Sequence, residues 1–81
     1  MTNRLPLPIS TLKQLEILIS ENNSNLWVAN PLKNILKNIV SYDYADAIKG
    51  LGYLKQDYPH LMNYDKEVKA IQKAEKRYNE I

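Results

Sequence analysis

The stretch Tyr42-Asp-Tyr-Ala-Asp-Ala-Ile-Lys-Gly-Leu-Gly-Tyr-Leu-Lys-Gln-Asp-Tyr-Pro59 decides how the chain folds. It holds both glycines and four of the six tyrosines. At helical spacing, Tyr44, Ala47, Ile48, Leu51, Leu54 and Tyr58 fall on one face, the stripe of a helix buried along one side. Asp43 is placed to cap its start, and Asp46 puts negative charge in the first turn, where the helix dipole favours it. Pro59 stops the helix and biases Tyr58 away from helical angles. Gly50 and Gly52 each cost about 1 kcal/mol relative to alanine inside a helix. Two readings follow. Either the helix is continuous and the glycines admit a close neighbour, or it ends near Lys49 with Gly50 as a left-handed terminator. The apolar stripe runs through both glycines and favours continuity, with tight packing preferred over a hinge.

Working outward, the clearest helical pattern lies just upstream. Leu32, Ile35, Leu36, Ile39 and Val40 form its stripe, opposite Lys33, Asn34, Lys37 and Asn38. Asn30 reads as its cap, with Pro31 at the first helical position, where a missing N–H costs nothing. Leu26-Trp27-Val28-Ala29 reads as a connector whose tryptophan anchors the core, with an exposed binding tryptophan as the alternative. An earlier helix is predicted from Ser10 or Thr11 to Glu21. Thr11 and Gln14 form a capping box, Leu12, Leu15, Leu18 and Ile19 the stripe, and Ile17 widens it. Asn22-Asn-Ser-Asn25 is a turn cluster. Residues 1–9, with Pro6 and Pro8, read as an extended lead-in. Downstream, Asn63 caps a last helix with a narrow stripe of Tyr64, Val68, Ile71, Ala74, Tyr78 and Ile81. Asp65–Lys69 and Lys76–Glu80 are candidate i, i+4 pairs on its exposed face. No stretch alternates with period two, so no strand is predicted.

The expected fold is therefore all-α. A small compact bundle of about four helices, antiparallel up-down or two helical hairpins, fills residues 1–81 as one domain. At 81 residues, such a domain hides only ~60% of the surface its unfolded chain exposes.

Composition excludes several chemistries. Cysteine is absent, so disulfides and thiolate metal sites are ruled out. His60 is the only histidine, too few for a zinc site, and no nucleophile motif accompanies it. Asp43, Asp46 and Asp57 would need a cleft to work as acid and base, and cap and solvent roles explain them. Lys49-Gly-Leu-Gly52 is too short for a phosphate-binding signature. Neither an enzyme nor a cofactor is expected. No apolar run reaches the ~20 residues of a membrane span, and the N-terminus has no secretory pattern, so a cytoplasmic location is expected.

Tyrosine offers large contact area at low entropic cost. Tyr53 lies off the core stripe, and Tyr42, Tyr53, Tyr58 and Tyr64 flank the third helix and its exit. The favoured function is non-catalytic protein binding, as an adaptor, inhibitor or immunity-type factor. An apolar and aromatic patch around helices three and four would dock a partner helix or groove, with Trp27, Tyr53, Tyr58 and Tyr64 as contacts. The alternative is a nucleic-acid-binding regulator using Lys66, Lys69, Lys73, Lys76 and Arg77. Against it, net charge is only +2, and four acids dilute those five bases within residues 65–81. A helix-turn-helix over Ala47–Tyr53 fails because Pro59 would fall inside its recognition helix. Self-association along the narrow last-helix stripe is compatible with either function.

Asp43-Tyr44, Ala47-Ile48, Leu51 and Pro59 fall at the intervals of the second helix of a tetratricopeptide-type repeat, which residues 43–59 resemble. Leu54 stands where that family prefers a small residue. The preceding helix lacks the family's tryptophan and Leu-Gly pair, and no second repeat follows at the period of ~34 residues. The resemblance implies helix-hairpin packing. In length, helix count, mild basicity and lack of cysteine, the whole chain also resembles the small four-helix immunity proteins that protect bacteria from their own bacteriocins. That likeness is one of architecture and implies at most an immunity-type factor.

Overall fold

Hydrophobic stripes at helical spacing make helices only where something covers them. Here the helices cover one another. The computed structural model describes residues 7–80. They form α1 (Ile9–Glu21), α2 (Leu26–Val40), α3 (Tyr44–Asp57) and α4 (Tyr64–Asn79), with no strand among the described residues. The fold is the all-α bundle that the periodicities predict. Successive helices pack side by side, and α1 also meets α4. Of the predicted lead-in, residues 1–6 lie outside the described residues, as does Ile81 at the end of the last stripe. Leu7 packs against the core, and the Pro8 carbonyl accepts from the Leu12 amide at 3.0 Å.

All four stripes feed one core. Leu15 and Leu18 come from α1, Leu32, Ile35 and Ile39 from α2, Leu51 and Leu54 from α3, and Tyr64 and Ile71 from α4. The outer edges of two expected stripes lie outside the core. Ile17 and Val40 are half exposed, because thirteen- and fifteen-residue helices packed on few neighbours cover only a narrow arc.

Two helix starts differ from expectation. Thr11 is not a cap, since α1 begins at Ile9 with Pro8 before it and no side-chain capping bond. Thr11 is instead fully buried, and its hydroxyl donates to Glu67 Oε1 of α4 at 2.8 Å. Likewise α2 begins at Leu26, four residues before Asn30, and Pro31 lies inside the helix. The earlier start buries Val28 and Ala29 to 2% and 0% exposure. Burying one valine side chain stabilises by about 1.5–3 kcal/mol. That offsets the ~3 kcal/mol an interior proline costs through its lost hydrogen bond and its clash with the carbonyl four residues back. Asn63 caps α4 as predicted, its Oδ1 accepting from the Lys66 amide at 3.2 Å.

α3 is continuous through both glycines, and neither has a positive φ. A Cβ on Gly50 would lie 2.8 Å from Ile35 Cγ1, whereas one on Gly52 would meet nothing within 4 Å. Close packing thus accounts for Gly50 and not for Gly52.

Among the described residues, Tyr42 alone has a left-handed backbone, at φ 61°. It ends α2. The Tyr42 amide donates to the Ile39 carbonyl at 3.0 Å, and the Asp43 amide to Asn38 at 2.8 Å. This is the double bond of a Schellman cap, with tyrosine where glycine is usual. The Tyr42 ring stacks on Tyr78 of α4 at 5.2 Å and 9°. It also meets Tyr44 edge-on at 6.3 Å, and Tyr44 packs on Tyr78 at 5.8 Å. The three rings hold the end of α4 against the α2–α3 turn.

Candidate functional site

Gly50 and Ile35 meet near the middles of α3 and α2. On one side of that crossing a groove of about 440 Å³ opens. Its floor is Pro31, Ile35, Gly50 and Leu54, and Trp27 and Tyr53 stand on its rim. Both rim rings are open to solvent, at 83% and 68% exposure. Neighbouring Leu26 is 59% exposed. Large apolar side chains on both walls of the groove are thus left in contact with solvent.

Trp27 does not anchor the core, since the early start of α2 turns it outward. The groove brings together two of the predicted contact residues, Trp27 and Tyr53, and leaves out the other two. Tyr64 is buried at 4% exposure, and its hydroxyl donates to the Tyr58 carbonyl at 2.6 Å. That bond ties the start of α4 to the end of α3. Burial raises the Tyr64 phenol above its ordinary 10.0. Tyr44 is raised for the same reason, with Tyr42, Tyr78 and Glu75 adding smaller electrostatic effects.

The aromatic groove therefore lies between α2 and α3, not around helices three and four. Between α3 and α4 there is a second depression of about 310 Å³, lined by Ile48, Gly52 and Val68 among others. Across it Lys55 and Asp65 pair at 3.8 Å, so Asp65 turns to α3 rather than to Lys69. Such an exposed pair contributes little.

Three groove residues escaped the sequence reading. Asn30, Asn34 and Asn38 all line it. Their i, i+4, i+8 spacing is visible in the sequence, but asparagine on a polar face reads equally as solvent-facing or capping. Asp57 is the charged side chain of the lining.

The basic residues of α4 are sorted more cleanly than their composition suggests. At ~100° per residue, Lys66, Lys69, Lys73, Lys76 and Arg77 share an arc of about 100° on the outer face, and all five are exposed. Of the four acids in this stretch, Glu67 is buried against Thr11, Asp65 faces Lys55 and Glu75 is half-buried to one side, while Glu80, exposed just past the end of the helix, falls on the basic arc itself.

The described residues hold no group of three or more His, Asp or Glu placed to bind a metal. His60 is exposed in the α3–α4 connection. Asp43 precedes α3 without a side-chain capping bond. Its carboxyl is held above the ordinary 3.8 by a hydrogen bond shared with Asp46, then by slight desolvation and the Asp46 charge, with the Asp46 amide opposing. Asp57 sits at the other end of the same helix, so the three carboxylates do not meet. No helix among the described residues is long and apolar enough to cross a membrane.

Comparison with known proteins finds no match: no family model, no curated protein and no solved structure is significantly similar to this chain.

Proposed function

We propose that this chain is a non-catalytic protein-binding module, of adaptor, inhibitor or immunity type, whose α2–α3 groove receives a segment of another protein. One observation carries the reading. Trp27 and Tyr53, from two different helices, stand exposed on the same apolar groove. Tryptophan and tyrosine dominate binding energy where they are desolvated by a partner. Leaving them in water serves no purpose in a core that is complete without them.

The test is affinity capture from nuclease-treated extract of the source cells, run in parallel on wild type and on Trp27→Ala and Tyr53→Ser variants. The expected result is one protein retained near one-to-one by wild type and lost by both variants. Identical retention on all three columns would remove the groove from the account.

A second reading is favoured by the sorted face of α4, whose five exposed bases could neutralise phosphates of a nucleic acid. Each phosphate contact steepens the loss of affinity with salt. Binding to duplex DNA or RNA that falls steeply between low and physiological salt, and is lost on changing Lys69 and Lys73 to glutamine, would support it. Salt-independent or absent binding would leave α4 as a solvated face.

A further inference from the structure

Resting on the groove reading above, we infer that the α2–α3 groove is built for an extended peptide carrying a basic residue, with Asn30, Asn34 and Asn38 reading its backbone. The spacing argument comes first. Residues four apart on a helix rise by about 6 Å. Alternate residues of an extended chain repeat every ~6.4–6.8 Å. Over the two intervals from Asn30 to Asn38 the mismatch is about 1 Å, well inside the reach of an asparagine side chain. Each amide offers both donors and an acceptor, and so meets either a peptide N–H or a C=O. Among the described residues, no hydrogen bond occupies these three side chains. A helical occupant has no use for such a row, because its backbone groups are already bonded within the helix.

Charge complementarity gives the second argument. The groove's charged side chain is Asp57, the last residue of α3. The C-terminal carbonyls of a helix also favour a cation. The rings of Trp27 and Tyr53 stand on the same rim, where aromatic faces attract lysine and arginine. The bases of α4 do not line this groove. Asp57, the carbonyl end of α3 and the two aromatic faces all favour a positive charge, and a basic side chain meets all three.

The test uses the full chain and a phage-displayed library of random dodecapeptides. Selected peptides are synthesised and titrated by calorimetry against wild type and the Trp27→Ala, Asn34→Ala and Asp57→Asn variants, each checked for helicity by circular dichroism. The expected peptides carry a recurrent arginine or lysine. Their affinity falls on the order of tenfold with Asn34→Ala and with Asp57→Asn, the loss of one hydrogen bond or charge partner. N-methylation of their backbone weakens binding at alternate residues. Suppose instead the peptides need Trp27, show apolar residues at i, i+3, i+4 and i+7, and ignore Asn34→Ala and Asp57→Asn. Then the occupant is a helix, and this inference falls while the groove stands as a binding site. If no selected peptide depends on Trp27, the groove and the inference fall together.

Discussion

The Thr11 hydroxyl donates to Glu67 Oε1 across 2.8 Å, joining residues 56 apart in sequence and closing α1 on α4. Both side chains are buried, at 0% and 6% exposure. Thr11→Val keeps the shape and removes the donor, leaving a carboxylate oxygen buried without its partner. The expected loss is about 1–3 kcal/mol, read from urea unfolding at neutral pH. Glu67→Gln retains an acceptor and loses less. Equal losses in the two variants would mean the hydrogen bond is not what holds that contact.

The two glycines of α3 separate in opposite directions. Gly50→Ala drives a Cβ to 2.8 Å from Ile35 Cγ1, an atom close to the backbone of a side chain only 1% exposed. Overpacking of this kind costs about 1–3 kcal/mol, more than the ~1 kcal/mol gained in helix propensity. Gly52→Ala meets nothing within 4 Å and gains about 0.5–1 kcal/mol. Thermal melts of the two variants should move to opposite sides of wild type.

Tyr42 holds a left-handed backbone that costs a non-glycine residue about 1–2 kcal/mol, while its stacking on Tyr78 returns about 0.5–1.5 kcal/mol. Tyr42→Gly in the wild-type background is therefore near neutral. In a Tyr78→Ala background the ring has little left to pack on, and the same substitution stabilises. The non-additivity of this cycle measures the stacking. Additive changes would show that the rings are adjacent without being coupled.

Alkaline pH provides another handle. The Tyr64 phenol titrates above 10.0 in the fold because burial disfavours its anion. Its contribution is fully present below the unfolded value and is lost as pH rises through the folded one. Tyr64→Phe is less stable than wild type at neutral pH, having lost the bond to the Tyr58 carbonyl. Above pH 10 the gap narrows. A gap that stayed constant from pH 8 to 11, followed by denaturant unfolding, would contradict the assignment.

Most of the bundle was legible in the sequence, and the failures share a cause. The stripes in α2 and α3 are set by local periodicity, so Leu32, Ile35, Ile39, Leu51 and Leu54 could be placed in the core from spacing alone. Thr11, Pro31 and Glu67 could not. Local rules give threonine to caps, proline to the first turn and glutamate to water. Each was overridden by a tertiary gain: the buried Thr11–Glu67 bond and the burial of Val28 and Ala29. Tyr42 was hidden for the same reason, because a left-handed tyrosine makes sense only once Tyr78 is beside it. Half of the candidate site followed from composition. Trp27 and Tyr53 stood out as aromatic residues, but their convergence depends on α2 starting at Leu26. The asparagine row was in plain view and lacked a groove to give it meaning.

The chain's single tryptophan projects from the fold at 83% exposure. Its indole is thus nearly as hydrated in the native protein as in the denatured chain, and its emission should hardly move on unfolding. The same exposure makes that emission a reporter of occupancy. A blue shift on adding a ligand would signal that something has covered the rim, free of any contribution from folding. The tyrosine cluster at Tyr42, Tyr44 and Tyr78 has the complementary property. Its near-ultraviolet dichroism reports whether the rings are assembled, and is indifferent to what sits in the groove.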